Sequence, residues 1–293
     1  MTAATEPLAS RRLELDDAAA AFALSTEAGW NQTIDDWRLM IEAGEVRGQF
    51  TAAGALVASA LILPYDDRIA WIAMVLTTES HRRRGLATEN LGWAILRCDA
   101  LGLTAGLDAT PAGREIYAPL GFTDCWGLQR LRAERPVLAE PSAEETVIRP
   151  MRRDDLPAIA ALDADAFGAR RDALMAHLHR RQPGCAWIAH APGGRLAGFL
   201  LGRDGRVTLH LGPLIADGPD VAMALVGRAI AQVSGPLSIP TSIDVPDGQG
   251  AFRAGLVAAG FAPVRPFMRM LRRNITAPGR AGPCFAIAGP ELG

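Results

Sequence analysis

The strongest hydrophobic signal in the chain lies at residues 71–76, which are apolar throughout and large at every position except Ala73. A run of this kind is typical of a strand that is buried on both faces. Residues 77–81 then turn polar, and beyond Leu86 apolar side chains recur along one helix face, at Leu91, Ile95, Cys98 and Leu101. The pattern therefore predicts a buried strand, a short basic loop and an amphipathic helix, in that order.

Strand-like and helix-like segments follow one another through the chain, and their order repeats once. The Gly-Phe pairs at 121–122 and 260–261 stand at the same point of the two halves, as do the hairpin glycines Gly54 and Gly194. An internal duplication explains this better than a chance match. We predict four regions: a catalytic domain at 1–133, a linker at 134–145, a degenerate second domain at 146–274, and a linker with an apolar tail at 275–293. We expect the tail to pack back on the first domain.

Composition narrows the classes of function. The length of 293 residues suits two domains, and 49% apolar residues are ample for a core. A net charge of −2 argues against nucleic-acid and anionic-membrane partners. The four cysteines show no metal spacing, so we expect no metal and a reduced, cytoplasmic protein. No apolar run is long enough to cross a bilayer, and residues 1–12 lack the apolar core of a signal peptide.

The basic loop carries the chemistry. Arg82, Gly85 and Ala87 follow the buried strand in the pattern Arg-x-x-Gly-x-Ala. The first N–H groups of a helix lack intrahelical partners and lie at its positive end, and a glycine lets an anion approach the backbone. The loop therefore predicts a phosphate site, although an ordinary turn with solvated arginines has the same composition.

Two motifs resemble those of the GNAT acyl-CoA N-acyltransferases. Residues 75–88 are similar to motif A, whose signature is Gln/Arg-x-x-Gly-x-Gly/Ala, and residues 114–122 resemble the tyrosine-bearing helix that ends in Tyr-x-x-x-Gly-Phe. The resemblance implies an α/β (α+β) fold with two GNAT-like domains, each a mixed, mostly antiparallel central sheet flanked by helices. The second half lacks both motifs and carries Asp217 and Asp220 where phosphate favours positive charge, so it looks degenerate.

The resemblance also implies a site for acetyl-CoA as co-substrate. The predicted cofactor-binding residues are Val75, Leu76, Thr77, Arg82, Arg83, Arg84, Gly85, Leu86, Ala87 and Thr88. Tyr117 is the expected general acid for the leaving thiolate, and its alternative role is packing. Trp30 and Asn31 are expected in the acceptor pocket, whereas Trp37 is better explained by core packing.

The general base is left open. Asp108 is the best-placed carboxylate, with a helix cap as an equally good alternative. Glu79 and His81 flank the loop but are better explained as solvated, and the terminal carboxylate of Gly293 is a further candidate. Deprotonation through a water chain needs no residue. The function we predict is direct acetyl transfer to a primary amine of a small molecule. The alternative is a non-catalytic acyl-CoA-binding sensor or partner-binding protein. The sequence does not choose between a monomer and a homodimer.

Overall fold

The computed structural model describes residues 7–138, 146–233, 239–272 and 279–293. Most of the predicted linker at 134–145 lies outside these ranges. The chain divides into two compact units, Met1–Gly106 and Leu107–Gly293. No helix within the described ranges is long and apolar enough to cross a membrane.

Ten elements precede the predicted linker. In chain order they are β1 (Ala9–Arg12), α1 (Ala18–Glu27), α2 (Ile34–Ala43), β2 (Glu45–Phe50), β3 (Leu56–Tyr65), β4 (Ile69–Thr77), α3 (Leu86–Ala100), β5 (Thr104–Ala109), α4 (Pro111–Tyr117) and β6 (Phe122–Ala133). Capping residues in the sequence set where helices begin. Thr33, for example, accepts a hydrogen bond from the Asp36 N–H while Asp36 accepts one from the Thr33 N–H, a capping box that begins α2.

The same order of elements returns after the linker, which agrees with an internal duplication. The second set comprises β7 (Val147–Pro150), α5 (Leu156–Phe167), α6 (Asp172–Arg181), β8 (Trp187–His190), β9 (Leu196–Arg203), β10 (Leu209–Ala216), α7 (Pro219–Val233), β11 (Thr241–Pro246), α8 (Gly250–Ala258) and β12 (Ala262–Arg272). A short extra strand, β13 (Cys284–Ala286), follows. We refer to residues before and after the linker as the first and second halves.

Each compact unit contains mostly antiparallel strands. In the first unit the order is β1-β2-β3-β4, followed by residues Thr104–Gly106 of β5, and among the described pairings β4–β5 is parallel and the others are antiparallel. In the second unit the order is β12-β6-β11-β10-β9-β8-β7, with β13 added to β10, and among the described pairings β10–β11 is parallel. The predicted fold class, with helices flanking mixed sheets in both halves, is confirmed.

The strand that ends the first half pairs with strands of the second half. Residues 122–133 belong to the predicted first domain, 1–133, but they form one strand, β6, which is flanked by β11 and β12 of the second half. The two equivalent strands β6 and β12 run antiparallel, from Phe122 opposite Arg272 to Arg132 opposite Ala262. In the second half, β11 therefore has β6 beside it instead of its own successor β12.

A buried ion pair stabilises this exchanged pairing. Arg130 on β6 donates two hydrogen bonds, both of 2.7 Å, to the carboxylate of Asp244 on β11, which is fully buried. Arg130 stands nine residues after Gly121, and Arg269 on β12 stands nine residues after Gly260. Arg269 makes the equivalent pair with Asp108 on β5, with both hydrogen bonds at 2.9 Å. The two ion pairs thus repeat with the duplication.

Candidate active site

The central strand of the first half carries a β-bulge. Leu61 lies opposite Ala73 and Ser59 opposite Leu76, so β4 has one more residue than β3 between these pairs. Met74 adopts a positive φ of 51°, and its carbonyl accepts a 2.8 Å hydrogen bond from the buried Ser59 hydroxyl. A bulge of this kind disrupts the ladder and redirects the strand. It lies directly before Val75, where the predicted cofactor edge begins.

Beyond the bulge, β4 leaves its parallel neighbour. The ladder with β5 covers Ile69 to Trp71, opposite Thr104 to Gly106, in the described part of the chain. The Thr78 N–H bonds the Val57 carbonyl at 2.9 Å, so the β3 side stays paired. The opposite edge of residues 75–77 is the one that we expect to face a ligand. At its end the Thr77 hydroxyl oxygen is buried and makes no hydrogen bond.

The basic loop turns sharply into α3. After a short 3₁₀ turn at Glu79–His81, Arg83 takes a φ of 62° and Gly85 a φ of 81°. Left-handed backbone is unfavourable for side chains other than Gly, so two such residues so close together specify a particular loop shape. Gly85 is the N-cap of α3, and a Cβ built on it would have no heavy atom within 4 Å. The space at the helix start is open.

The start of α3 is exposed and positively charged. Arg82 and Arg83 are exposed, as are Ala87 and Thr88 in the first helical turn. Glu89, the acidic residue of that turn, is paired with Arg47 at 2.5 Å, which offsets its charge. Exposed helix N–H groups, a positive helix end and adjacent arginines are the features that bind phosphate. The residues present therefore fit a pyrophosphate group.

The two tryptophans of the segment after α1 differ in burial. Trp37 is completely buried and its indole N–H donates to the Ser25 hydroxyl at 3.0 Å, so it is a core residue as expected. Trp30 and Asn31 are half-buried. Gln32 is buried, and its side-chain oxygen makes no hydrogen bond, nor does the hydroxyl of Thr26 in α1. Buried oxygen atoms without partners are costly in a protein interior and commonly mark where a ligand binds.

The predicted general acid ends a short helix in the second compact unit. Thr110 caps α4 by accepting from the Gly113 N–H at 3.1 Å, and Pro111 fits the first position. Tyr117 packs its ring 6.1 Å from that of Phe122. Burial raises the pKa of its phenol, so Tyr117 keeps its proton at neutral pH. The protonated phenol is the state that a general acid requires.

Asp108 lies in the same unit, three residues before α4, and it is not the helix cap, which is Thr110. Its carboxylate is fully buried, with both oxygens bonded to Arg269. The Arg269 guanidinium lies 4.4 Å from the centre of the Trp126 ring. Burial raises the pKa of Asp108, Arg269 lowers it, and Asp244 and Glu291 raise it further, so the pKa ends above its ordinary value.

Comparisons with known proteins agree with this architecture. A family profile described as "Acetyltransferase (GNAT) domain" matches residues 159–286. The "Uncharacterized N-acetyltransferase YitH" of Bacillus subtilis is 27% identical over 241 residues, which cover 81% of this chain and 82% of that protein. A putative acetyltransferase from Pyrococcus horikoshii superposes with a TM-score of 0.77 at 21% identity, covering 100% of this chain and 98% of that one.

A tandem GNAT protein from the clavulanic acid biosynthesis pathway is also similar in fold. It covers 90% of this chain and 98% of its own length, with a TM-score of 0.65 and 16% identity. The profile and the relatives support a member of the GNAT family and a GNAT-type acyltransferase. The GNAT profile falls on the second half, which lacks the Arg-x-x-Gly-x-Ala loop, whereas the motifs fall on the first. The solved structures support the GNAT fold.

Sequence reasoning missed two polar groups of this site. Ser59 and Thr26 lie in segments that were read only as strand or helix, whereas Gln32 lies in the segment that the resemblance assigns to the acceptor wall. Ser59 at the middle of an apolar strand is the one signal that could have been used, because a buried hydroxyl needs a partner. Within the described ranges, no group of His, Cys, Asp and Glu is arranged to hold a metal ion.

Proposed function

We propose that this GNAT protein transfers the acetyl group of acetyl-CoA directly to the primary amine of a small molecule in the cytoplasm. One observation carries the proposal: the left-handed turn at Arg83 and Gly85, with its open space, leads from a bulged strand into an exposed, positively charged helix start. Acetyl-CoA supplies an acyl group activated as a thioester. The chain supplies binding, orientation and proton transfer.

Binding in this proposal uses mainly the backbone. The first N–H groups of α3 hold the pyrophosphate, with Arg82, Arg83 and Arg84 adding positive charge. The free edge of Val75, Leu76 and Thr77 hydrogen-bonds the pantetheine arm, as the family resemblance implies. A backbone N–H near Val75 donates to the thioester carbonyl oxygen, which becomes more negative as the amine attacks.

The reaction forms one bond and breaks one. The neutral amine nitrogen attacks the carbonyl carbon, the carbon–sulfur bond breaks, and an amide and a thiolate result. We propose that the Tyr117 hydroxyl gives its proton to that thiolate. Because the phenol pKa is raised and lies above that of a thiol, the transfer is uphill by itself, and it is completed when water returns a proton to the phenolate. No cysteine nucleophile is needed.

The amine must lose a proton before or during attack. Asp108 is the carboxylate that the sequence favours, and its raised pKa is suited to accepting a proton. Both of its oxygens are bonded to Arg269 and the carboxylate is fully buried, so a proton would reach it only by displacing part of this packed ion pair. We therefore propose that the proton leaves through water, and that Asp108 acts chiefly through its ion pair.

For the acceptor, we propose that Trp30 and Asn31 line the pocket together with the buried oxygens of Thr26, Gln32 and Thr77. Three acceptor atoms without protein partners suit a ligand group with several N–H or O–H donors, such as an ammonium group. The half-buried Trp30 adds an apolar surface for the rest of the molecule.

The test compares two glycines of the same helix. Gly85 and Gly102 flank α3, with φ values of 81° and 69°, and each has open space around it. Valine at either position imposes the same left-handed strain, but only Gly85→Val changes the proposed cradle. We expect calorimetry to show at least tenfold weaker acetyl-CoA binding for Gly85→Val and little change for Gly102→Val.

Turnover is measured as release of free thiol from acetyl-CoA across a panel of primary amines. Amine-dependent release that is lost in Gly85→Val supports the proposal. Full acetyl-CoA affinity in Gly85→Val would remove the cradle assignment. Tight binding with no release across the whole panel would contradict acetyl transfer to a small amine.

A further inference from the structure

The central strands of the two halves share an unusual geometry. β10 pairs with β11 in parallel only at Leu209, His210 and Leu211, just as β4 pairs with β5 over three residues. Between Leu211 and Leu214, β10 gains one residue relative to β9, a bulge like that of β4 against β3 but two residues nearer to the parallel ladder. Aligned on these ladders, Ile215 and Ala216 correspond to Val75 and Leu76. We call the edge of β10 beyond Leu211, on the side of β11, the β10 notch.

The β10 notch is filled by residues 284–293, which we call the tail. β13 pairs antiparallel with β10, with Ala286 opposite Leu214 and Cys284 opposite Ile215. The Ala216 N–H donates to the Pro283 carbonyl at 3.0 Å. These are the positions at which, in the first half, we expect the pantetheine arm to be bound. The tail was expected on the first half, but it packs on the second.

The tail also bonds the strand on the other side of the notch. The Ile287 N–H donates to the Asp244 carbonyl of β11 at 3.1 Å, and the Ile287 carbonyl lies 3.3 Å from Nε2 of His210. A Cβ on Gly212 would lie 2.0 Å from that same carbonyl oxygen. Only glycine leaves room for the approach, so β10 and the tail are shaped to fit each other.

Buried ionic contacts hold the end of the tail. Arg203 pairs with Glu291, and both side chains are almost completely buried. Arg171, itself paired with Asp163 at 2.8 Å, donates to the carbonyl oxygens of Leu292 and Gly293. These contacts give hydrogen bonds to backbone oxygens at the buried end of the tail, where Gly293 also accepts from the Ala288 N–H.

The tail belongs to the core of the second half. Every tail residue except Pro290 is buried. Phe285 is part of the main apolar cluster and meets Phe252 edge to face, with ring centres 5.3 Å apart. A segment with this burial does not exchange readily with solvent. The notch is occupied by a structural element and not by a loosely placed end.

The loop after β10 gives no support to a phosphate. In the first half, arginines lead into α3, whereas Asp220 lies in the first turn of α7 and Asp217 pairs with Arg195. Negative charge at a helix start opposes phosphate binding. The second half thus lacks the anion site and has its arm site filled.

We propose that the tail is a permanent, covalently attached occupant of the β10 notch, standing where a pantetheine arm would lie, so that the chain takes one acyl-CoA in its first half only. The occupancy of the notch follows from the contacts of the tail. The count of one acyl-CoA rests on the proposed function of the first half.

The occupancy is tested by cysteine labelling of the full-length protein. Cys284 is buried in the tail, Cys185 is buried elsewhere in the second half, and Cys125 is half-buried. Iodoacetamide labelling followed by peptide mass spectrometry should show Cys284 reacting as slowly as Cys185, and at least tenfold more slowly than Cys125. A saturating concentration of acetyl-CoA should leave the Cys284 rate unchanged. Labelling of Cys284 as fast as Cys125, or its acceleration by acetyl-CoA, would overturn the proposal.

A matched pair of variants tests what holds the tail. Glu291→Gln removes the buried charge that pairs with Arg203, while Asp217→Asn removes an exposed charge of the same half. We expect at least tenfold faster labelling of Cys284 in Glu291→Gln, with Cys185 unchanged, and wild-type rates in Asp217→Asn. Equal Cys284 rates in Glu291→Gln and the wild type would contradict the role of this contact.

Titration calorimetry with acetyl-CoA separates this inference from the proposed function. One site per chain in the wild type and none in Gly85→Val supports both. Two sites, or a site that survives in Gly85→Val, would show that the second half binds acyl-CoA and would overturn the inference. No binding in the wild type would refute the proposed function, while the labelling results would still decide whether the tail fills the notch.

Discussion

The ion pair between Arg130 and Asp244 offers the sharpest test of how the exchanged strands are held. In Asp244→Asn the Arg130 side chain, only 18% exposed, loses the carboxylate that balances its charge. Breaking a buried pair by removing one partner costs about 3–5 kcal/mol. A protein unit of this size shifts its melting temperature by about 2–4 °C for each kcal/mol, so we expect a decrease of about 10 °C.

The loss of stability in Asp244→Asn should become smaller as the pH falls. Burial raises the pKa of Asp244, but the charge and hydrogen bonds of Arg130, with His210 and Arg265 nearby, outweigh it and leave the pKa below its ordinary value. A carboxyl with a lowered folded pKa stabilises the fold above its unfolded pKa of about 4 and loses that contribution as the pH falls. The stability difference between wild type and Asp244→Asn should therefore narrow below about pH 4.

The assay is urea unfolding at pH 7 and at several lower pH values, with Asp217→Asn as the control. Its exposed pair with Arg195 should contribute no more than about 1 kcal/mol. An Asp244→Asn protein within about 1 kcal/mol of the wild type at pH 7 would refute the reasoning. A stability difference that stays constant down to pH 3 would refute the linkage.

Four further outcomes follow from the site and its surroundings. Tyr117→Phe should lower kcat by about 100-fold with unchanged acetyl-CoA affinity, measured by thiol release and calorimetry; unchanged kcat would exclude it as the acid. Asp108→Asn should lower the unfolding free energy at pH 7 by less than Asp244→Asn does, as measured by urea unfolding. The folded pKa of Asp108 is raised, so its charged form stabilises the fold less at a pH above that pKa. Gln32→Leu should raise KM for the amine several-fold and leave acetyl-CoA binding intact, and a KM equal to wild type would remove Gln32 from the pocket. Gly212→Ala should lower the unfolding free energy by more than about 1 kcal/mol, and a thermal melt equal to wild type would contradict the close approach of Ile287.

Local patterns in the sequence predicted most elements well. The apolar run at 71–76 lies in β4, and the helical spacing after Leu86 marks α3, because burial on two faces and on one face leaves different periods in the sequence. The glycine at 85 was interpretable for a similar reason. A helix N-cap with left-handed backbone favours glycine, so the residue type alone indicates the turn without knowledge of any distant contact.

Features that depend on distant contacts were not predictable. The bulge at Met74 depends on Ser59 from the neighbouring strand, and no local pattern of β4 indicates it. The apolar character of the tail indicated burial but not against which surface, and the expected surface was wrong. The assignment of β6 to the first half followed from chain order, since β6 and β12 have equivalent patterns and a sheet accepts either of them beside β11.

The position of β6 between β11 and β12 has a consequence for synthesis on the ribosome. Phe122 pairs with Arg272, and Ala133 pairs with Thr241. More than a hundred residues are therefore synthesised after β6 before its partner strands exist. Contacts this far apart in sequence are slow to form and leave strand edges exposed meanwhile. The nascent chain therefore cannot pair both edges of β6 until residue 272 has emerged from the ribosome.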